Sequence, residues 1–226
     1  MRLQKEKEGN RIFYAEDGKI QLLHKIIEGD YKVHAEYKND NRTYVAKISR
    51  DGNFYILKIF YPRTALKKFM TRIKKGESLK TLENVTIFRE KGFVELVPCI
   101  GSVEERESGM IKKEYLLMEF CEGRKPKTPE DFKKVMEMLV KFASYGRYHG
   151  DCNPGNFIID KDENIHIIDT KLKKMCFGDY RKHFDFMVLR KHLPMKVEYP
   201  YSKNLFYYFA YFVRKIRDAK NKYHNS

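Results

Sequence analysis

Hydrophobic and polar positions alternate in the first third of the chain, which predicts β-strands there. The stretch YKVHAEYK at 31–38 alternates, and RTYVAKISRDGNFYILKIF at 42–60 holds two β-rich runs. Asp51-Gly52 joins those two runs and is a strong signal for a hairpin turn. Two further strands, joined by a polar turn, are predicted within residues 93–120.

A lysine interrupts the apolar face of the second run. Lys58 has the same strand parity as Phe54, Ile56 and Phe60, so its side chain points where theirs point. A charged group among apolar neighbours is costly unless an opposite charge meets it. We therefore expect an anion to bind at Lys58.

Helical patterns are interleaved with and follow the strands. Residues 63–92 have a helical composition that is interrupted near Gly76, and residues 121–129, CEGRKPKTP, are predicted to form a linker. The next helix begins with Thr128 as N-cap and Pro129 as its first residue. It is predicted to end near Gly146, and its predicted buried stripe consists of Phe132, Val135, Met136, Leu139, Phe142 and Ala143.

These patterns predict an α+β fold in two parts. Residues 1–121 would form a five-stranded antiparallel sheet with one or two helices. Residues 122–226 would be mainly helical and contain a small hairpin.

Polar side chains recur at fixed intervals in the stretch YHGDCNPGNFIIDKDENIHIIDT, at 148–170. Asp151 follows His-Gly, Asn156 comes five residues later, and Asp169 thirteen residues after that. A carboxylate and an amide on either side of a tight hairpin supply the hard oxygen ligands that Mg²⁺ prefers. Phosphoryl transfer needs a metal site, a cation on the phosphates and a carboxylate near the attacking hydroxyl. The stretch therefore indicates phosphoryl-transfer chemistry.

The same residues carry a family resemblance. HGDCNPGNFIID with IHIID resembles the catalytic loop and metal motif of the protein-kinase-like fold, in its His-Gly-Asp variant. FYILKIF resembles the third strand of that fold, and YLLMEFCEG its fifth strand and hinge. With YPRTALKKFMTRIKKG and FDFMVLRKHL, the chain most resembles the bacterial lipopolysaccharide core heptose kinases over most of its length. The resemblance implies two lobes, with residues 1–121 as the N-lobe and 122–226 as the C-lobe.

The resemblance also implies ATP and Mg²⁺ as cofactors, and it gives a role to each matching residue. Asp151 would orient or deprotonate the acceptor hydroxyl, and Asn156 and Asp169 would hold Mg²⁺. Lys58 would contact the α- and β-phosphates. Its partner glutamate stays open between Glu77 and Glu83. The remaining expected residues are Met118, Glu119 and Cys121 at the adenine, and His149 and Asp185 as structural support of the loop.

Three departures from the kinase pattern bear on the substrate. The first hairpin, at 36–48, has no glycine-rich loop, and Asp169 is followed by Thr170-Lys171 rather than Phe-Gly. Only sixteen positions separate Asp169 from Asp185. Protein kinases use a longer segment there to dock a peptide. The shortness favours a small-molecule or glycolipid acceptor.

Charge is concentrated near the end of the chain. The formal net charge is +15, and residues 171–226 hold fourteen Lys and Arg against four Asp and Glu. A polyanionic partner is expected. The stretch 204–222 sets aromatic side chains beside basic ones, which suits an anionic membrane surface, although the aromatics could instead face the core. The expected basic contacts are Arg214, Lys215, Arg217, Lys220 and Lys222, and the alternative core residues are Leu205, Phe206, Phe209 and Phe212.

The cellular setting follows from absences in the sequence. The four cysteines form no CxxC pair, so reduced thiols are expected. No secretory signal and no long apolar segment is present, so we expect a cytoplasmic protein, peripheral at the cytoplasmic face of the inner membrane. No nucleic-acid partner is expected, because the sequence carries no nucleic-acid-binding motif.

The resulting hypothesis is a kinase that transfers the γ-phosphoryl group of ATP to a heptose hydroxyl of the lipopolysaccharide inner core. The acceptor would be the core oligosaccharide or lipid A–core. The alternatives are a small kinase acting on another sugar, a small molecule or a protein, and a catalytically silent binding module on a kinase fold. The sequence leaves open which heptose and which hydroxyl are phosphorylated.

Overall fold

A computed structural model describes residues 3–62, 64–170, 172–193 and 198–223, without the side chains of Lys67 and of residues 220–223. The chain forms two compact units, Met1–Cys121 and Glu122–Ser226. Lys171 and the side chains of Lys220 and Lys222, which the sequence analysis singled out, lie outside the described residues.

The first unit is built on a seven-stranded antiparallel sheet with the strand order β1-β2-β6-β7-β5-β4-β3. The Asp51-Gly52 turn is confirmed: both residues have positive φ, and Arg50 pairs with Asn53 across it. The strands are β1 (Gln4–Glu8), β2 (Arg11–Ala15), β3 (Lys32–Asn39), β4 (Thr43–Arg50), β5 (Asn53–Phe60), β6 (Cys99–Glu107) and β7 (Met110–Glu119).

The prediction of five strands was wrong, since it missed β1 and β2. The sequence of β1, QKEKE, is exposed at every position, so it has no apolar face from which a strand could be recognised. It lies at the sheet edge, where charged side chains discourage pairing with another chain. β2 is only five residues long and is held by antiparallel pairing with β6. Tertiary pairing therefore determines both strands.

Three helices of this unit accompany the sheet. Helix α1 (Ile20–Ile27) buries Leu23 and Ile26 in a core formed with Phe13, Ile48 and Leu117 of the sheet. Helices α2 (Ala65–Met70) and α3 (Glu77–Glu90) confirm the predicted interruption, and α3 packs against β6 and β7.

The second unit begins with a helix whose start was predicted. In α4 (Pro129–Ser144) the Thr128 hydroxyl accepts from the Asp131 N–H while the Asp131 carboxylate accepts from the Thr128 N–H. Of the predicted stripe, Met136 and Ala143 are only half-buried, and Met138, which was not predicted, is buried.

Short elements and two further helices complete this unit. No helix among the described residues is long and apolar enough to cross a membrane. The elements are β8 (Arg147–Tyr148), a 3-10 turn (Pro154–Asn156), β9 (Phe157–Ile159), β10 (Ile165–Ile167), β11 (Lys173–Lys174), α5 (Tyr180–Arg190) and α6 (Leu205–Tyr223). β9 pairs with β10, and β8 with β11.

Candidate active site

A buried carboxylate of α5 accepts hydrogen bonds from the loop that follows β8. Asp185 accepts hydrogen bonds from the backbone N–H groups of His149, at 2.7 Å, and Gly150, at 3.1 Å. The neighbouring Cys152 thiol is also buried and hydrogen-bonds to Asp185. Burial raises the pKa of Asp185 to about 6, although both N–H groups act to lower it. Asp185 thus fixes the backbone that leads into Asp151.

His149 is buried in the same loop, between Phe142 and Phe157. Burial lowers its pKa to about 4, so the imidazole is neutral at pH 7. Its Nδ1 lies 3.3 Å from the Asp151 N–H and accepts from it. The ring therefore contacts backbone rather than substrate, and Asp151 is left with its side chain exposed.

Asn156 links the loop to the β9–β10 hairpin. Its Nδ2 donates to the Asp151 carbonyl oxygen at 2.8 Å, and its own carbonyl oxygen accepts from the Ile168 N–H at 2.9 Å. Asp169 follows Ile168 directly and adopts a left-handed φ of 57°, a conformation that Asp tolerates better than most residues. Asn156 and Asp169 therefore stand at the same end of the hairpin, joined to Asp151 by backbone contacts.

These residues fit a magnesium ion by their donor chemistry. The Asn156 amide has its nitrogen turned to Asp151, so Oδ1 is the atom it could offer to a metal. With the Asp169 carboxylate it forms a set of hard oxygen ligands, to which phosphate and water add the rest. Among the described residues no group of three or more His, Cys, Asp or Glu could hold a metal by itself. A metal ion held by this pair would need further oxygen ligands to complete its coordination.

In the first unit, Lys58 lies on β5 with only 6% of its surface exposed. It pairs with Leu116 of β7, and the next pair along, Ile56 and Met118, places Met118 on the same face of the sheet. Lys58 is thus held in the sheet interior, beside the side chain expected at the adenine.

The expected hinge and partner glutamates occupy different surroundings. The Glu119 N–H donates to the Pro98 carbonyl at 3.1 Å, so Glu119 could offer only its carbonyl to a base. Cys121 is half-buried at the end of this unit. Glu77 is the exposed first residue of α3, whereas the Glu83 carboxylate lies 2.6 Å from the Lys75 ammonium.

A buried polar network that sequence reasoning missed anchors the start of α3. The Glu114 carboxylate accepts from the Ser78 N–H at 2.8 Å and from the Ser78 hydroxyl at 2.7 Å, and that hydroxyl also meets Ser102. Glu104 accepts from the Gly76 N–H at 2.9 Å. A Cβ at Gly76 would lie 2.3 Å from Glu114, so only glycine fits. The available signal was strand parity, since Ser102, Glu104 and Glu114 occupy inward positions of β6 and β7.

A second missed cluster ties the predicted linker to the hairpin. The backbone N–H of Arg124 donates to Ile159 at 2.9 Å, and the Ile159 N–H donates back at 2.8 Å. The Arg124 guanidinium bridges Asp131 of α4 and Glu163 of the β9–β10 turn. These contacts hold the turn end of the β9–β10 hairpin, and Asn156 holds the other end.

Comparison with known proteins shows which family this chain matches. The family model described as lipopolysaccharide core biosynthesis protein (WaaY) matches residues 1–224. The chain belongs to this family. The predicted resemblance to the lipopolysaccharide core kinases is thereby confirmed.

Two curated protein kinases share shorter segments. The chain is 30% identical over 144 residues to the serine/threonine-protein kinase rio2 of Dictyostelium discoideum, covering 58% of this chain and 25% of that protein. It is 32% identical over 83 residues to the eIF-2-alpha kinase GCN2 of Schizosaccharomyces pombe, covering 32% of this chain and 5% of that protein. The chain thus spans at most a quarter of these relatives' length, and the matches indicate a kinase-like relationship.

Proposed function

We propose that the protein transfers the γ-phosphoryl group of ATP to a heptose hydroxyl of the lipopolysaccharide inner core. The observation that carries this proposal is the loop geometry: Asp185 holds the backbone before Asp151, and Asn156 ties Asp151 to Ile168, the residue just before Asp169. Membership of the WaaY family supports the assignment to lipopolysaccharide core biosynthesis.

In the second unit, three side chains would perform the transfer. Asp151 would accept the proton of the acceptor hydroxyl, since its carboxylate is exposed on a rigid loop. Asn156 and Asp169 would hold Mg²⁺, which neutralises charge on the transferred phosphoryl group when it is bound. His149 and Asp185 would keep the loop in place without contacting substrate.

In the first unit, Lys58 would contact the α- and β-phosphates. A buried lysine on a rigid strand loses little freedom when an anion binds, which favours charge stabilisation in the transition state. Glu77, at the start of α3, would orient that lysine. Met118 would lie against the adenine, with the backbones of Glu119 and Cys121 as hydrogen-bonding partners.

The acceptor places the protein beside a bilayer in this proposal. Lipopolysaccharide core is anionic and is attached to lipid A, so the enzyme would work in the cytoplasm, peripheral to the inner membrane. The excess of Lys and Arg within residues 171–226 supports attraction to an anionic surface.

The test is ADP release from Mg·ATP with dephosphorylated core oligosaccharide as acceptor. Acceptor-dependent turnover should be lost in Asp151→Asn and Asp169→Asn. A matched control is Asp162→Asn, which changes an exposed carboxylate in the β9–β10 turn and should keep full turnover. Turnover that survives in both site variants would overturn the assignment of the site.

A protein acceptor is the second candidate, favoured by the similarity to two protein kinases. Adding a generic protein substrate in place of the oligosaccharide separates the two. Phosphorylation of the protein but not of the glycan would replace the heptose proposal, whereas the short segment between Asp169 and Asp185 favours the glycan.

A further inference from the structure

The last helix carries apolar side chains on the side that faces away from its own unit. Helix α6 packs on α5 through Ala210, which is fully buried, and through Tyr207, whose ring lies 5.9 Å from that of His183. On the same inner side, Asp218 lies 2.9 Å from Lys191. The inner side therefore already has its partners.

The opposite side of α6 presents an unbroken apolar row. Leu205, Phe209, Phe212 and Ile216 follow one another at spacings of four, three and four residues, so they form one stripe along the helix. They are 79%, 49%, 60% and 44% exposed. We call these four residues the outer stripe. The expectation that the apolar residues of this segment face the core is wrong for Leu205 and Phe212, while Phe209 makes an edge-on contact with Tyr180 of α5, with ring centroids 5.2 Å apart, and remains 49% exposed.

A neighbouring loop extends this surface. Phe177, which is 88% exposed and has a φ of 60°, lines an apolar groove together with Leu205, Phe206, Phe209 and Phe212. The ring of Phe206 packs where a Cβ of Gly178 would lie, so glycine lets the helix approach the loop. A bulky residue in a left-handed conformation is uncommon, and here that conformation leaves an aromatic ring exposed.

The charged side chains around the outer stripe indicate which kind of partner would bind it. Lys203 precedes it, Lys215 lies within it in sequence, and the exposed Lys173 and Lys174 precede Phe177. From Leu205 to Ala219 the only carboxylate is Asp218, which Lys191 and Arg214 engage on the inner side. Two copies packed stripe to stripe would bring these cations together, whereas an anionic bilayer would neutralise them.

We infer that the outer stripe of α6, with Phe177, is a docking surface that enters the interface of an anionic lipid bilayer. An apolar row with basic flanks is the pattern of a helix lying in the membrane plane, where aromatic rings occupy the headgroup boundary and lysines meet lipid phosphates. The inference rests on the membrane-bound acceptor of the proposed function and names the surface that would reach it.

The chain contains no tryptophan, which allows a direct test of insertion. Phe212→Trp places one fluorophore on the outer stripe, and Tyr37→Trp places one at an exposed aromatic position of β3 in the first unit. The full-length variants are mixed with vesicles of phosphatidylglycerol and phosphatidylcholine, and with vesicles of phosphatidylcholine alone. Brominated acyl chains in a second set of vesicles quench a tryptophan that enters the bilayer.

We expect the Phe212→Trp emission to shift to the blue and to be quenched with the anionic vesicles, and much less with the neutral ones. The Tyr37→Trp emission should not change. Equal quenching at both positions, or no quenching at Phe212→Trp, would overturn the inference.

Cosedimentation with the same vesicles separates the stripe from general charge attraction. Phe209→Ser with Phe212→Ser should weaken binding by at least about tenfold, because the variant lacks two rings that would be buried in the bilayer. Ile73→Ser with Val94→Ser, which removes two apolar side chains of the first unit that are more exposed than Phe209 and Phe212, should bind as the wild type does. Unchanged binding of the stripe variant would contradict insertion.

The oligomeric state and the turnover of the same variants give further tests of the inference. A wild type that sediments as a dimer and ignores vesicles, with a monomeric stripe variant, would assign the stripe to a second copy instead. Turnover on soluble core oligosaccharide should be equal in the stripe variant and the wild type. Vesicle binding without any turnover would therefore refute the kinase proposal while leaving the docking surface intact.

Discussion

Asp131 and Asp185 are both buried carboxylates of the second unit, and each accepts hydrogen bonds from two backbone N–H groups. Burial alone would raise the pKa of both. At Asp131 burial is the largest single effect, but the Arg124 guanidinium and the N–H groups of Lys127 and Thr128 together outweigh it and hold the pKa well below its usual range. At Asp185 burial prevails, and the pKa rises to about 6.

The difference follows from what each carboxylate does. Asp131 fastens the linker to the start of α4 through its ion pair with Arg124 and its hydrogen bonds from the Lys127 and Thr128 N–H groups. Asp185 is bonded to that loop through backbone N–H groups and a thiol. The carboxylate that a guanidinium contacts therefore stays ionised, whereas the one that is bonded only by backbone N–H groups and a thiol has a pKa of about 6.

The largest expected effect concerns catalysis. Asp185→Ala and Asp131→Ala should each lower the free energy of unfolding by about 3 kcal/mol, since each removes a buried carboxylate and leaves two backbone N–H groups without their acceptor. Only Asp185→Ala should also lower the kcat of acceptor-dependent ADP release, by about 100-fold, because it frees the loop before Asp151. Urea denaturation and ADP release measure the two quantities. Equal losses of kcat in both variants would remove the functional distinction.

The pH dependence of stability should have opposite signs at the two sites. The folded pKa of Asp185 is raised, so its contribution to stability is full below the unfolded value of about 4 and is lost as pH rises through about 6. The folded pKa of Asp131 is lowered, so its contribution is present above about pH 4 and is lost as pH falls. These signs follow from which state of the chain holds the proton more tightly.

We expect the stability advantage of the wild type over Asp185→Asn to shrink by about 3 kcal/mol between about pH 4 and about pH 8. The advantage over Asp131→Asn should instead shrink below about pH 4. Urea denaturation at a series of pH values gives both curves. Parallel curves for the two variants would show that the surroundings do not set the two pKa values apart.

Glu114 extends the comparison to the first unit. Its pKa is raised by burial, while two hydrogen bonds from Ser78 act to lower it. Ser78→Ala should cost about 2 kcal/mol, because Glu114 loses a hydroxyl donor in a buried site. Ser144→Ala, which removes an exposed hydroxyl near the end of α4, should cost less than about 0.5 kcal/mol. Equal costs would mean that the network does not anchor α3.

The smallest effect is expected at Arg124, whose side chain is partly exposed and screened by water. Arg124→Lys keeps the positive charge but loses the two-pronged contact with Asp131, so we expect a small loss of stability by thermal unfolding, less than that of Ser78→Ala. Turnover should be unchanged. A loss as large as that of Asp131→Ala would mean that the guanidinium, rather than the backbone N–H groups, carries the stability of this site.

Local signals in the sequence predicted several elements correctly. The Asp51-Gly52 turn and the Thr128 cap depend on residues within a few positions of one another, and the structure has both. The interval from Asp151 to Asn156 to Asp169 likewise spans one loop and one hairpin. The short hairpin leaves few ways to arrange these residues, so their spacing already indicates that they belong together.

Long-range contacts decided what the sequence could not. β1 has no apolar face of its own, and β2 pairs with a strand about ninety positions later, at a cost in chain entropy that no local pattern reveals. The partners of Asp185 and Glu114 also lie on other elements, and the packing of α6 on α5 decides that the outer stripe is exposed. The sequence determines which side chains can carry a charge. Burial and hydrogen bonding then set their pKa values, and both arise only when distant segments pack together.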